Sequence, residues 1–482
     1  MNELKLLLQN RKSLYITLGL SLIYIIPLLI SDHEYLDDWG RNLYGYGWQH
    51  DGRFIATLLG KIWSLNSSIF SIYPFSLLLS AIILGFTGFL LVSIFNIEKE
   101  NTIKWAPLLI VTSPAFLGNL VFKFDCLPMA LSLFVVVFPF IFYHKKQKFI
   151  LLSLIGVFLS LGLYQSSTTV FFIIGSLFLI REIKNWQWKL FFKDFGILAG
   201  VFIIAFIAYS LLIGLFNLPV SNRTETILFQ PNVFELLSKN YDIFTQRINS
   251  ILKSGSYVFI IISFLIICLT GFIINFISYK EKSRLIIIIP SILLIVFVDF
   301  LLISSVNILL KESYWDLRTF CGLGFFLLVC LSFQTGLKGV LLKTGRWLTF
   351  VLIAFSFVLM AQFGRILNNQ SQFQNAIGYE LNHYFKDESI KNLGFIGTLR
   401  IAPRNEFTYH KFPVFQLLLG SPIGQYSAWS MNILNANGML EGVNIIPTEN
   451  LLCKGMLIEK TRFYYVREID EETLIIDFTK CE

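Results

Sequence analysis

Residues 31 to 42 read Ser31-Asp32-His33-Glu34-Tyr35-Leu36-Asp37-Asp38-Trp39-Gly40-Arg41-Asn42, with four carboxylates and a histidine inside seven positions. A carboxylate within hydrogen-bond reach of a hydroxyl can take its proton. Asp37 and Asp38 are neighbours, so on regular structure they cannot point the same way. One can face a reacting group while the other orients a backbone, an arginine or a metal, and these two are the candidate general bases. A solvated interfacial loop with helix-capping acids is the plainer explanation of the same residues. Tyr44-Gly45-Tyr46-Gly47-Trp48-Gln49-His50-Asp51-Gly52-Arg53 follows, aromatic and punctuated by glycine. Aromatic faces with polar edges suit sugar rings and membrane interfaces alike. An interfacial belt accounts for the tyrosines and tryptophan, but not for Asp51-Gly52-Arg53.

Further polar residues stand at the edges of apolar runs. Asp125 lies between Phe124 and Cys126, and function is the default hypothesis for an acid at membrane depth. Lys123 has a plain alternative as a snorkelling side chain. Gln165, followed by Ser166 and Ser167, could instead satisfy neighbouring helices. Arg318 could be a structural partner of Asp316. Asp299, between Val298 and Phe300, is either a buried polar contact or a site residue.

The elements that must position these residues are long and apolar. The 482-residue chain is 55% hydrophobic and 15% charged, whereas soluble domains carry about 25% charged residues. A bilayer can solvate that surface and a soluble fold cannot. The net charge of +8 sits in short clusters between apolar runs, without the basic face that nucleic-acid binding requires. Apolar runs fall near 13–31, 69–96, 105–118, 126–143, 149–163, 168–180, 195–216, 256–278, 285–309, 319–333 and 347–366. The expected fold is a polytopic α-helical membrane protein with about eleven transmembrane helices. The run at 105–118 is interrupted by Pro114, and that at 168–180 is short. Residues 54–66 could form an interfacial helix with Phe54, Ile55, Leu58, Leu59 and Ile62 on one side.

Cations set the orientation. Lys5, Arg11 and Lys12, then Lys99 and Lys104, then Lys145, Lys146 and Lys148 mark one set of loops. Arg181, Lys184, Lys189 and Lys193, then Lys280, Lys282 and Arg284, then Lys338, Lys343 and Arg346 continue it. This set is expected in the cytoplasm, with the amino terminus. The segments 32–68, 119–125, 164–167, 217–255, 310–318 and 367–482 then share the outer side. One short span more or fewer would move the tail but not the first loop. The division expected is a membrane unit over 1–366 and a small α/β unit over 367–482. In the tail, Arg462–Val466 and Thr473–Asp477 alternate like strands around a turn at Ile469–Glu472, which reads as a hairpin. Gln370–Phe385 could be a helix and Gly394–Gly397 a short buried strand. Tyr426, Trp429, Tyr464 and Tyr465 permit glycan stacking and equally permit a small core. Cys453 and Cys481 could pair in an oxidising compartment, and spacing alone leaves two free thiols equally open.

The motifs together resemble the GtrII-type glucosyltransferases of bacterial serotype conversion. The resemblance is carried by Tyr35–Arg41, Gly45–Trp48, Asp51–Arg53, Phe122–Ser132 and Gly162–Ser167, with Trp315–Phe320 as a later match. It implies a GT-C membrane glycosyltransferase that takes a sugar, glucose first among candidates, from undecaprenyl phosphate. The acceptor would be the O-antigen repeat of lipopolysaccharide on the periplasmic face of the inner membrane. The implied functional partners are a small flippase and a donor synthase. With that activity Asp37 or Asp38 becomes the base of an inverting displacement. Arg53, Lys123 and Arg318 become phosphate ligands, because arginine offers paired donors to phosphate oxygens. Asp125 and Gln165 would orient a sugar hydroxyl, and Tyr35, Glu34, Trp48 and Asp51 would touch sugar or acceptor. A divalent cation, Mg²⁺ or Mn²⁺, would suit Asp38 and Asp125 beside phosphate, though nothing in the sequence demands one. A transporter or flippase of a lipid-linked sugar shares this hydropathy, but usually carries its key charges near the midplane. An acyl or phosphoethanolamine transferase is a third class, for which His33 beside Glu34 is a poor fit.

Overall fold

The computed structural model describes residues 11–95, 105–217, 225–277, 279, 281–385, 389–420, 423–424, 427–436, 438, 443–448 and 450–481. Lys5, Lys99, Lys104, Lys280 and Tyr426, cited above, lie outside the described residues. The principal helices are α1 (Arg11–Ser31), α2 (Asp37–Tyr44), α3 (Phe54–Ser64), α4 (Phe75–Ile94), α5 (Cys126–Val137), α6 (Lys146–Leu163) and α7 (Val170–Lys184). They continue with α8 (Trp188–Leu215), α9 (Val233–Leu252), α10 (Tyr257–Ile277), α11 (Leu285–Leu301), α12 (Leu323–Ser332), α13 (Gly339–Asn382) and α14 (Ser427–Ala436). Among the described residues, 9 helices are long and apolar enough to cross a membrane.

These apolar runs become helices because only a helix satisfies every backbone donor and acceptor within one segment. The run at 105–118 does not form a span. It breaks into Leu108–Val111, Pro114–Phe116 and Leu117–Leu120, all wholly buried. Pro114 cannot donate to a helical ladder, so the chain turns there. Residues 126–142 form a shorter apolar helical stretch. Helix α1 packs on α4 and α13, α4 on α5, α5 on α6, and α6 on α8.

Two polar clusters bracket this bundle. At one end Tyr143 donates to Asp194 at 2.5 Å and to Glu182 at 3.2 Å, and Lys146 pairs with Asp194 at 2.5 Å. At the other end of α6 stand Tyr164 and Gln165, beside the residues singled out in the first loop. The 18 residues of α6 span about 27 Å at 1.5 Å per residue, close to the roughly 30 Å of a hydrocarbon core.

The interfacial stretch forms α3, with its apolar residues split between two surroundings. Ile55 and Leu59 pack with Trp48, Ile69, Phe124 and Leu163, whereas Leu58 and Ile62 stay exposed. The tail holds a five-stranded sheet of order β2-β1-β5-β4-β3, from β1 (Asn392–Ile396), β2 (Asn444–Ile445), β3 (Met456–Lys460), β4 (Tyr465–Asp470) and β5 (Thr473–Asp477). Strands β4 and β5 form an antiparallel hairpin, with β5 where the sequence reading put it. Strand β4 begins at Tyr465 rather than Arg462 and takes in Ile469 and Asp470 of the expected turn, and β1 is paired in parallel with β5 and β2. Cys453 and Cys481 are joined by a disulfide, with Cα atoms 5.4 Å apart. Helix α13 has 44 residues and runs without a break past residue 367, from the apolar bundle into the tail.

Candidate active site

Helix α2 is the centre of the site. It begins on the acidic pair, whose charges suit a helix amino terminus, and ends at Gly45. The φ of Gly45 is +61° and its amide donates to the Arg41 carbonyl, a left-handed cap that glycine adopts without a Cβ penalty. Just before α2, Asp32 (φ 39°) and Leu36 (φ 45°) also sit in the left-handed region. Strain of this kind in non-glycine residues gathers at functional sites.

The two aspartates separate as their adjacency requires. Asp38 is 0% exposed and turns inward, accepting the Lys123 amide at 2.9 Å and the Phe124 amide at 3.4 Å. It holds the loop that carries Asp125. Asp37 is half-buried at the seam with the tail, where the Trp429 Nε1–H donates to its Oδ1 at 3.3 Å.

Asp125 is the hub of the charged network. Its Oδ2 accepts from Arg41 at 2.8 Å, and its Oδ1 from Arg53 and from the Trp48 indole, each at 2.9 Å. Burial alone would raise this carboxyl, but the guanidiniums of Arg41, Arg53 and Arg318 outweigh burial and hold it below its ordinary value. Asp38 behaves oppositely. Burial pushes it well above the usual carboxylate range and the Asp125 charge adds to this, with the Lys123 amide opposing only in part. Arg41 stacks over the Trp48 ring at 4.7 Å and Arg53 over the Tyr164 ring at 4.8 Å. The Nε atoms of Arg41 and Arg53 are buried and have no hydrogen-bond partner among the described residues.

The other sequence-identified residues divide between this hub and its supports. Arg318 pairs with Asp316 at 3.3 Å, donates to the Tyr314 hydroxyl at 3.2 Å, and lies over the Phe122 ring. Lys123 turns away from the hub to Asp32 at 2.7 Å and Glu34 at 2.8 Å. Those acids more than reverse the lowering that burial imposes on its ammonium. His33 is lowered to about 4 by burial, with the Lys123 charge adding to it, so its ring is neutral near pH 7. Tyr35 is buried and donates its hydroxyl to the Leu418 carbonyl. Gln165 donates to the Asp51 carbonyl at 2.9 Å and to Tyr209 at 3.1 Å. It therefore fixes the turn before Arg53, while the Asp51 side chain faces solvent. Asp299 accepts from Ser176 at 2.5 Å within the bundle, a buried polar contact between α7 and α11.

A divalent cation fits Asp38 and Asp125 poorly. Asp125 already faces three guanidiniums, and the Asp38 oxygens are taken by amides. Among the described residues no three His, Cys, Asp or Glu side chains converge as a metal-binding group.

Sequence reasoning missed Arg41, Tyr164, Tyr209, Tyr314 and the seam contact of Trp429. Arg41 carried a signal: it is three residues after Asp38 and four after Asp37, so a helical reading of 37–44 puts all three on neighbouring faces.

The Asp38 shift has a measurable consequence. The folded protein holds this proton more tightly than the unfolded chain, so Asp38 costs stability as pH rises above the ordinary carboxylate value of about 3.9. Asp38→Asn cannot ionise. Between about pH 4 and about pH 7 the wild-type melting temperature is expected to fall relative to that of Asp38→Asn. Thermal melting in detergent micelles measures this, and parallel curves would contradict it.

A family model described as "Glucosyl transferase GtrII" matches residues 26–329. Over 491 aligned residues the chain is 25% identical to the "Uncharacterized 55.3 kDa protein in gtrB 5'region" of Salmonella phage P22, an alignment covering 97% of this chain and 99% of that one. No solved structure matches. The family match runs from within α1 to within α12 and takes in Asp37, Asp38, Arg41, Arg53, Asp125 and Arg318, the whole charged constellation, and the chain belongs to the GtrII glucosyl transferase family.

Proposed function

We propose that this chain transfers glucose from undecaprenyl phosphate to O-antigen repeats of lipopolysaccharide at the periplasmic face of the bacterial inner membrane. The observation that carries the proposal is the pairing of one buried carboxylate, Asp125, with two guanidiniums, Arg41 and Arg53. That leaves positive charge in excess beside the half-buried Asp37. A leaving phosphate needs the first feature and an attacking hydroxyl needs the second.

The step is a single displacement. The acceptor oxygen forms a bond to C1 of glucose and its proton passes to Asp37. The bond from C1 to the phosphate oxygen breaks, and undecaprenyl phosphate departs with the electron pair. Arg41 and Arg53, each bonded to Asp125, stabilise that charge. Arg318 adds to the field, while Trp48 and Asp125 hold the guanidiniums in place. Asp38 serves the loop rather than the acceptor. The polyprenyl chain remains in the bilayer beside the bundle.

The cation-dense loops support a cytoplasmic amino terminus, with the hub and tail on the periplasmic side. A donor made in the cytoplasm then requires a synthase and a small flippase as functional partners. Proteoliposomes holding the full chain, undecaprenyl-phosphate glucose and O-antigen lipopolysaccharide test the proposal. Mass analysis is expected to find glucose added to the repeats and, in the lipid extract, an equal amount of released undecaprenyl phosphate. Donor crossing the bilayer with no change in the repeats would indicate a transporter instead.

A further inference from the structure

The acidic helix α2 is wedged between the bundle and the tail, and each of its faces has a different task. Asp38 and Arg41 point into the bundle. Trp39 packs on the tail core formed by Ile377, Leu381, Leu393 and their neighbours. Gly40 lies under Asn432 of α14. A Cβ at Gly40 would stand 2.8 Å from the Asn432 Nδ2 and 2.7 Å from the Tyr46 hydroxyl, so the tail approaches α2 as closely as backbone permits. Tyr35 reaches the Leu418 carbonyl, and Trp429 reaches Asp37.

We propose that Trp429 is a positioning residue for Asp37, so that the carboxy-terminal unit completes the transferase site. This rests on the reading of Asp37 as base. An indole N–H donates and cannot accept. It carries no charge, so it can fix one carboxylate oxygen without neutralising the base. The second oxygen is left to meet the acceptor hydroxyl. Arginine or lysine at this place would bind Asp37 more strongly but oppose its protonation during transfer. The contact is half-buried, where the carboxy-terminal unit meets α2, so Asp37 keeps some exposure to an acceptor.

The test compares full-length variants in proteoliposomes with undecaprenyl-phosphate glucose and O-antigen lipopolysaccharide. Trp429→Phe keeps the ring and loses the N–H. It is expected to lower kcat by about 10–100-fold, the scale of a hydrogen bond to a charged group, with the KM for the lipid donor unchanged. Trp429→Gln, which keeps an uncharged N–H donor, is expected to recover most of the loss. In an Asp37→Asn background Trp429→Phe is expected to lower the residual rate no further. A wild-type kcat in Trp429→Phe, a loss confined to KM, or an equal loss in both backgrounds would overturn the positioning role. If Trp429→Phe inserts poorly, Trp429→Gln alone decides: a kcat near wild type supports the inference and a kcat tenfold or more below wild type counts against it. Wild-type turnover by Asp37→Asn alone would instead reject the base itself, whatever Trp429 does.

Discussion

Asp37→Asn is expected to reduce glucosyl transfer by about 10²–10⁴-fold, the usual contribution of a positioned general base. Asparagine has nearly the same shape, and its carbonyl oxygen can still accept from Trp429. What disappears is the capacity to take a proton. The loss should therefore fall on kcat, with donor affinity, membrane insertion and melting temperature close to wild type. Steady-state transfer with varied donor measures the split. A variant that transfers at the wild-type rate would place the base elsewhere, whereas a variant that is inactive and poorly inserted would show that the residue serves folding instead.

Asp125→Ala is expected to destabilise the protein by about 3–5 kcal/mol, the cost of removing one partner from a buried charge network. Arg41 and Arg53 would be left as buried cations facing each other, and the Trp48 indole would lose its acceptor. Thermal melting of purified protein in micelles reads this effect. The wild-type carboxyl is held below its ordinary value, so its contribution is present above about pH 3.9 and is lost as pH falls through the folded value. Asp125→Ala should lack this acid-side decline. A melting temperature within a degree or so of wild type would mean that water or lipid headgroups compensate the arginines, contrary to the burial of the hub.

Much of this site was legible because the apolar runs fix where polar residues must emerge. Asp125 and Arg318 adjoin apolar runs, Asp37, Asp38 and Arg53 lie in the loop between the runs at 13–31 and 69–96, and the structure gathers all five at one end of the bundle. Their pairing was not legible. The Arg41–Asp125 contact joins residues 84 positions apart, and no local period encodes such a choice. Arg41 itself was hidden because 32–42 reads as a loop, and only a helix brings it round to the face of Asp38. Lys123 fits an anion site by charge alone, but the bend at Asp32 returns two acids to it. The tail hairpin was readable from alternation, whereas its docking on α2 spans nearly 400 residues and depends on tertiary shape.

Helix α13 ties these parts together mechanically. At about 1.5 Å per residue its 44 residues extend roughly 66 Å, about twice a hydrocarbon core. A continuous rod has a phase as well as a length. Each residue gained or lost between Gly339 and Asn382 would turn everything beyond it by about 100° and carry Trp429 away from Asp37. Surface loops in this chain can lengthen at little cost, but this segment is geared, and evolution can change its count only in steps that restore the angle.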